Sequence, residues 1–502
     1  MKVLGFLLLL AVVVVAQERP KPALDIQALL DAAPAAPPEL AADILLKLVE
    51  TGRIPSKEQR LEIIEQAFQL AGQAKFPYML FPAVFRAGDT ASSPGVLRSG
   101  LGMGLSTMAL RCRTVRAARS INNAKAIELF RQIEVGPFPP LSCDDAQVPN
   151  LSEYYAVLQE VANSFPPNDQ KKGLHLELID AAVRSITIPR QLTLIANLLA
   201  TFPMPRNRRT ELVGIYAAAL KRMDADPRSF GAEGVELGES IVALAKKLQT
   251  YEIPSHPLAD ALRAYMARHL QGALCAETAS PKEGGRSMRR LVEDYLNGGV
   301  LAGAPEAEAP RLKFDELKPK SVLGSAKFSV AWRMGRSREI MARYKTLRFG
   351  TEQQQEENLK NAPRSDGMMP FLSEQLRRTP EWEAEMRQFL EDLIRWSKNH
   401  DEPEVDFFHQ LSSMYAALLV IIPEGPLHDA VLQTFISYLK TSPMERESPP
   451  EWLSHVSRLF SITDATPDHL ARVRAEVRRS GSLTMSLYAE LARLEMANKA
   501  SK

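Results

Sequence analysis

The chain has 502 residues, 45% of them apolar and 24% charged, which suits about three folded domains or one long repetitive array with a sizeable core. Its 62 lysines and arginines nearly cancel its 60 aspartates and glutamates, leaving a net charge of +2. That balance supplies no global field for nucleic acid, and the short arginine runs at 206–209 and 472–479 lack interleaved aromatics, so they read as solvated helix surface and no nucleic-acid partner is expected.

The first segment, MKVLGFLLLLAVVVVAQERP, carries one lysine and then an apolar run from Val3 to Val15 that closes on Val14-Val15-Ala16. This is the pattern of a secretory signal peptide, residues 1–16, cleaved after Ala16. The run is shorter than the roughly 20 apolar residues of a spanning helix, and no later run reaches that length. The expectation is an extracytoplasmic protein, periplasmic or secreted, with no stable membrane insertion after cleavage.

Residues 17–136 form an expected N-terminal helical region. In SKEQRLEIIEQAFQLAG, Ser56 with Gln59 three residues on has capping-box spacing. Leu61, Ile64, Ala67, Phe68 and Ala71 share one helical face, and Gly72 suits the stop. The stretch GLGMGLS (100–106) lacks both phosphate-loop spacings, so its glycines read as close-packing positions inside a helix. Continuing that phase through Leu105, Met108, Cys112 and Val115 puts Cys112 on an apolar stripe as a buried free thiol.

Residues 137–149 are a proline-rich corner holding Cys143, Asp144 and Asp145, with Glu153, Tyr154 and Tyr155 just beyond. These acids are candidates for general acid/base chemistry of the kind paired carboxylates perform on glycosidic bonds. The competing reading is structural: Asn150 and Glu153 have helix-cap spacing, and the aspartates decorate a turn. Three cysteines permit one disulfide in an oxidising compartment. Cys143 and Cys275 both sit in loop-like sequence after helical segments, so a Cys143–Cys275 bridge is expected, with Cys112–Cys143 as the alternative.

Residues 150–296 form an expected repeat region. At an offset of 37, Phe165-Pro166 matches Phe202-Pro203, Ala181-Ala182 matches Ala218-Ala219, and Tyr155, Leu158 and Val161 match Leu192, Ile195 and Leu198. A looser third copy turns at TYEIPSHP (250–257). Glu239-Ser240 in this helical setting resembles lytic transglycosylases, which implies a catalytic role for Glu239. The glycine- and methionine-rich segment such enzymes carry next is missing, so Glu239 also reads as a solvent-facing helix residue.

Residues 297–325 are a Gly/Ala/Pro-rich linker, and 326–502 a C-terminal helical region whose helices open on Thr379-Pro380, SPPEW and TPDHL. The segment NHDEPEVDFFHQ supplies the metal candidates His400, Glu402, Asp406 and His409, of which the last two share a helix face. An acidic helix start explains the same acids without a metal.

Together these features predict an all-α chain of antiparallel helical hairpins in an α-solenoid-like array of the HEAT/TPR kind. The expected function is binding or scaffolding of a protein or peptide partner, without a cofactor. The alternative is an exported carboxylate-dependent glycosidase or lyase acting on cell-wall or polysaccharide material.

Overall fold

The computed structural model describes residues 26–82, 103–138, 147–224, 230–270, 273–275, 320–322, 336–351, 353–355, 377–398, 404–460 and 467–500. The fold is all-α. Its first helices are α1 (Ile26–Ala32), α2 (Pro38–Glu50) and α3 (Lys57–Ala71). Ser56 caps α3 as expected, its Oγ accepting from Gln59 N at 3.1 Å. Ile64, Ala67, Phe68 and Ala71 are buried on the core face of α3.

Helix α4 (Thr107–Arg119) departs from the expectation at its start. Gly104 has φ +67°, a left-handed backbone that ends any helix arriving from upstream. Ser106 then caps α4 by accepting from Ala109 N at 3.2 Å. The glycines of GLGMGLS therefore serve a turn where they are described, and residues 100–102 lie outside the described residues. After α5 (Asn123–Arg131), a short antiparallel pair joins β1 (Met79–Pro82) to β2 (Gln147–Asn150), Met79 opposite Asn150. Periodicity gives no warning of four-residue strands containing prolines, which only an isolated edge pair tolerates. Asn150 ends β2, and its Oδ1 accepts from Ser152 N at 3.0 Å at the start of α6 (Ser152–Asn163). Glu153 does not reach back to cap this helix; it pairs with Arg116 of α4 at 2.5 Å.

Three helical hairpins follow, and the positions matched at an offset of 37 fall in the first two. The first is α6 with α7 (Pro167–Lys171) and α8 (Leu174–Arg184), the second α9 (Pro189–Thr201) with α10 (Arg206–Arg222), the third α11 (Phe230–Thr250) with α12 (His256–Leu270). Helix α9 packs between α6 and α11, and α10 between α8 and α12. The matched positions Tyr155, Leu158, Val161 and Phe165 are buried, as are Leu192, Ile195, Leu198 and Phe202. In both FP turns a side chain from the next helix caps the phenylalanine carbonyl: Gln170 Nε2 donates to Phe165 O at 2.7 Å, and Arg209 Nη2 to Phe202 O at 2.9 Å. Arg209 thus overturns the reading of 206–209 as solvated surface. It is fully buried, also donates to Leu199 O, and lies 4.7 Å from the ring centre of Tyr251 in the third hairpin. Its neighbours Arg206 and Arg208 are partly exposed and pair with Glu252 and with Asp180 and Glu211.

A parallel pair, β3 (Ala273–Cys275) with β4 (Lys320–Val322), follows, so residues 320–322 of the expected linker are strand, and the remainder of that linker lies outside the described residues. The C-terminal helices are α13 (Arg336–Phe349), α14 (Pro380–Trp396), α15 (Glu404–Ile421), α16 (Pro426–Thr441), α17 (Met444–Glu447), α18 (Pro449–Phe460), α19 (Pro467–Ser480) and α20 (Leu483–Ala500). Helix α14 packs on α13 and α16, α19 on α16 and α20, and α18 on α15 and α20. The last helix does not sit at the far end of a line. Helix α20 packs on α1 and α2, which brings the C-terminal helices against the N-terminal ones.

That junction is polar at its centre. Asp43, 2% exposed, takes Arg113 Nη1 at 2.5 Å, Lys47 Nζ at 3.3 Å and the Tyr488 hydroxyl at 2.7 Å. Burial alone would raise its pKa, but Lys47, Arg113 and the Tyr488 hydrogen bond outweigh it and hold the carboxyl below its ordinary 3.8. Asn498 Nδ2 donates to Thr51 O at 3.2 Å, and Lys75 Nζ to Glu447 O at 2.7 Å.

Replacing Asp43 by alanine leaves the Tyr488 hydroxyl without its buried acceptor and Arg113 with Glu50 alone, and is expected to destabilise the fold by about 1–3 kcal/mol in urea denaturation. An unchanged midpoint would contradict this account. Stability is also expected to fall on acidification in two steps. Buried His428 and His469 have pKa values below 6.5, chiefly from burial, so the unfolded chain binds more protons and stability declines as pH drops below about 6.5. The Asp43 contribution is full above about 4 and is lost as pH falls through its lowered folded pKa. Denaturant midpoints measured from pH 8 to pH 3 check both steps.

Candidate functional site

Helix α15 is apolar on most of its surface, with Phe407, Phe408, Leu411, Met414, Tyr415 and Leu418 buried between α16 and α18. One stripe is different. Ser413, Ala416, Ala417 and Val420 recur at steps of three and four, so small side chains occupy one face. An open cavity of about 260 Å³ lies over this face, lined also by Arg348 of α13 and Arg458 of α18. Val420, which lines it, is 51% exposed; only it and Leu483 are exposed large apolar residues among the described residues. Arg458 Nη1 donates to Ser413 Oγ at 3.0 Å, and Arg348 Nη1 to the Tyr344 hydroxyl at 2.9 Å, which orients both guanidinium groups.

One turn before Ser413, the same seam between α15 and α18 holds a second cluster. His409 of α15 faces Glu451 and His455, which are four apart on one face of α18. His455 Nε2 lies 3.2 Å from His409 Nδ1, and that nitrogen lies 3.8 Å from Glu451 Oε2. Glu451 and His455 are almost wholly buried. Neither Glu451 Oε2 nor His455 Nδ1 has a hydrogen-bond partner. Burial pushes the His455 pKa well below its ordinary 6.5, and the nearby Arg458 and His409 push it the same way, so the ring is neutral at physiological pH.

Of the residues singled out from sequence, His409 lies here. His400 and Glu402 lie outside the described residues, and Asp406 is described only by its backbone in the first turn of α15. Glu239 is exposed on α11, beside a buried Ser240. Asp144 and Asp145 lie outside the described residues. Tyr154 stacks on Phe130 at 5.3 Å, and the Tyr155 hydroxyl accepts from Gln191 Nε2 at 3.1 Å, so both rings hold α6 in place. A second cavity, about 430 Å³, lies beside Asn150, Ser152 and Glu153, but its arginines are engaged: Arg113 with Asp43 and Glu50, Arg116 with Glu153 and Glu160. Sequence reasoning missed Glu451, His455, Arg348 and Arg458. The signal was present in SPPEWLSHVSRLF, where an acid and a histidine four apart share a face, though the segment reads first as a helix opening.

Cys112 is free and fully buried on α4. Burial pushes its thiol up to about 12, with Glu153 and Glu160 adding to the shift and Arg116 opposing it. Cys143 lies outside the described residues, and Cys275 is described by its backbone alone at the end of β3, so the expected bridge between them falls outside what is described.

Comparison of the chain with protein-family models, with curated proteins and with solved structures returns no match.

Cys112 is expected to resist iodoacetamide in the folded protein at pH 8, because the thiolate is the reacting form and burial suppresses it. It should label fully in denaturant. Non-reducing peptide mapping is expected to yield a linked peptide containing Cys143 and Cys275. A disulfide peptide containing Cys112 would overturn both expectations.

Proposed function

We propose that this chain is an exported α-solenoid-like module that binds a peptide segment of a partner protein, combining an apolar side chain with a carboxylate. The observation that carries the reading is the cavity on α15, which exposed Val420 lines together with Arg348 and Arg458. A cavity lined by small apolar side chains and two guanidinium groups suits an apolar anchor beside an acidic or C-terminal carboxylate, which arginine engages with a matching fork. The volume points the same way. About 260 Å³ is below the roughly 300–1,000 Å³ of small-molecule sites and fits one or two side chains. Stacked hairpins are suited to such work because they present long surfaces to extended partners. The packing of α9 between α6 and α11, and of α10 between α8 and α12, supports reading the central hairpins as repeats.

The alternative, an exported glycosidase or lyase, requires carboxylates that converge on a cleft. Glu239 is exposed, and Glu153 is paired with Arg116, so neither supports it. Among the described residues no helix is long and apolar enough to cross a membrane. We place the mature protein outside the cytoplasm on the strength of the N-terminal apolar segment.

A panel of fluorescent peptides ending in an apolar residue and a free carboxylate, with amidated controls, tests the binding reading by anisotropy. Val420→Asp should weaken binding at least tenfold, since it puts a like charge on the exposed lining without disturbing the core. Equal affinity in the variant, or for the amidated peptides, would sink the proposal. Export is tested by N-terminal sequencing of protein recovered outside the cytoplasm, with Gln17 expected as the first residue.

A further inference from the structure

The His409–Glu451–His455 cluster lacks what a buried carboxylate ordinarily has. Among the described residues Glu451 Oε2 has no hydrogen-bond partner; it lies 3.8 Å from His409 Nδ1, on a ring charged only when protonated, and the one cation acting on it is the Arg458 guanidinium, through charge alone. Glu451 is the third residue of α18, and the partial positive charge of a helix start is worth only about half a unit. A full buried carboxylate is costly unless a cation or proton satisfies it. A hydrogen bond of 3.2 Å joins His455 Nε2 and His409 Nδ1 beside that oxygen, and a metal ion bound there takes the place of its proton.

Two of those distances are close to those of a coordination sphere. Ligand atoms bound at about 2.0–2.1 Å in tetrahedral geometry stand about 3.4 Å apart. Here two of the separations are 3.2 and 3.8 Å, and all three donor atoms lie within 4.8 Å of one another. The side chains are also held before any ion arrives. Glu451 and His455 are one turn apart on α18, His455 packs edge-on against Phe408 at 5.4 Å, and α15 is fixed by its apolar flanks. Two imidazoles with one carboxylate is a borderline donor set, suited to zinc and its neighbours more than to magnesium or calcium.

We propose that His409 Nδ1, His455 Nε2 and Glu451 Oε2 bind one divalent transition-metal ion of the zinc class, which crosslinks α15 to α18. Three protein ligands leave a fourth position for water or an incoming donor. Arg458, three residues beyond His455, donates to Ser413 Oγ, and its charge, which acts on both His455 and Glu451, opposes a cation. The site therefore binds more weakly than the same ligands would alone, and removing Arg458 should tighten it.

The test uses the full mature chain, stripped with EDTA and titrated with zinc chloride by calorimetry. One zinc ion per chain is expected, with a raised thermal unfolding midpoint. Glu451→Gln and His409→Gln should each weaken that site at least about 100-fold, and Arg458→Met should strengthen it. No binding by the parent chain, or equal affinity and stoichiometry in both ligand variants, would overturn the proposal. Should either variant fail to fold by circular dichroism, X-ray absorption at the zinc edge of the parent protein decides. Scattering from nitrogen and oxygen at about 2.0–2.1 Å supports the site, whereas sulfur at about 2.3 Å puts the metal on cysteine and refutes it. The peptide reading fails separately: Val420→Asp should leave zinc binding unchanged, and Glu451→Gln is judged on zinc alone.

Discussion

The buried carboxylate of Asp43 is the constraint on which the arrangement of the two halves depends. It sits on α2, between α4, which supplies Arg113, and α20, which supplies Tyr488. A buried charge tolerates few alternatives, because each misplaced partner leaves it unsatisfied. The network therefore fixes how the last helix of the chain meets one of the first. The apolar surroundings follow the same logic. Leu40, Ala41, Ala42, Ile44, Leu45, Leu46 and Leu48 are fully buried on successive faces of α2, as befits a helix covered on several sides. A helix at the free end of an array would expose one of those faces.

A second device recurs along the chain. The last carbonyls of a helix have no partner within it. Here a donor from a neighbouring helix often fills that gap. Arg209 serves the end of α9, Trp382 Nε1 donates to Leu347 O near the end of α13 at 3.1 Å, and Trp452 Nε1 donates to Leu439 O near the end of α16 at 2.9 Å. Each bond ties one helix to the next, or in the case of α16 and α18 to the next but one, through a bulky buried side chain. The donor satisfies a buried polar group and positions the turn at the same time. This explains why an arginine within the run at 206–209 is core and why two tryptophans stand in the first turns of α14 and α18.

The candidate site lies on one seam of this framework. Small residues on α15 line the cavity, while the histidine one turn earlier meets two ligand-type side chains of α18. The two features share Arg458, which lines the cavity and lowers the His455 pKa. His409 was visible in the sequence as a potential ligand, but among local acids at 402 and 406. Its partners lie more than forty residues away, across a helix-to-helix contact that no local spacing encodes. Conversely, Cys112 was legible as a buried thiol because its burial follows from helical phase alone.

The sequence by itself determined the helical class, the caps at Ser56 and at Thr379, whose side chain accepts from Trp382 N, and the buried faces of α6 and α9. Each of these depends on neighbours within a few residues, or on a period, and both are written along the chain. Only the tertiary structure decided that α20 closes on α2, that Arg209 is buried, that two short strand pairs exist, and that His409 faces Glu451 and His455. Those outcomes depend on which helix faces are brought together, and on whether a distant donor arrives to satisfy a buried charge or carbonyl. A linear pattern carries the propensity to bury a face, but the partner for that face is selected by packing in three dimensions.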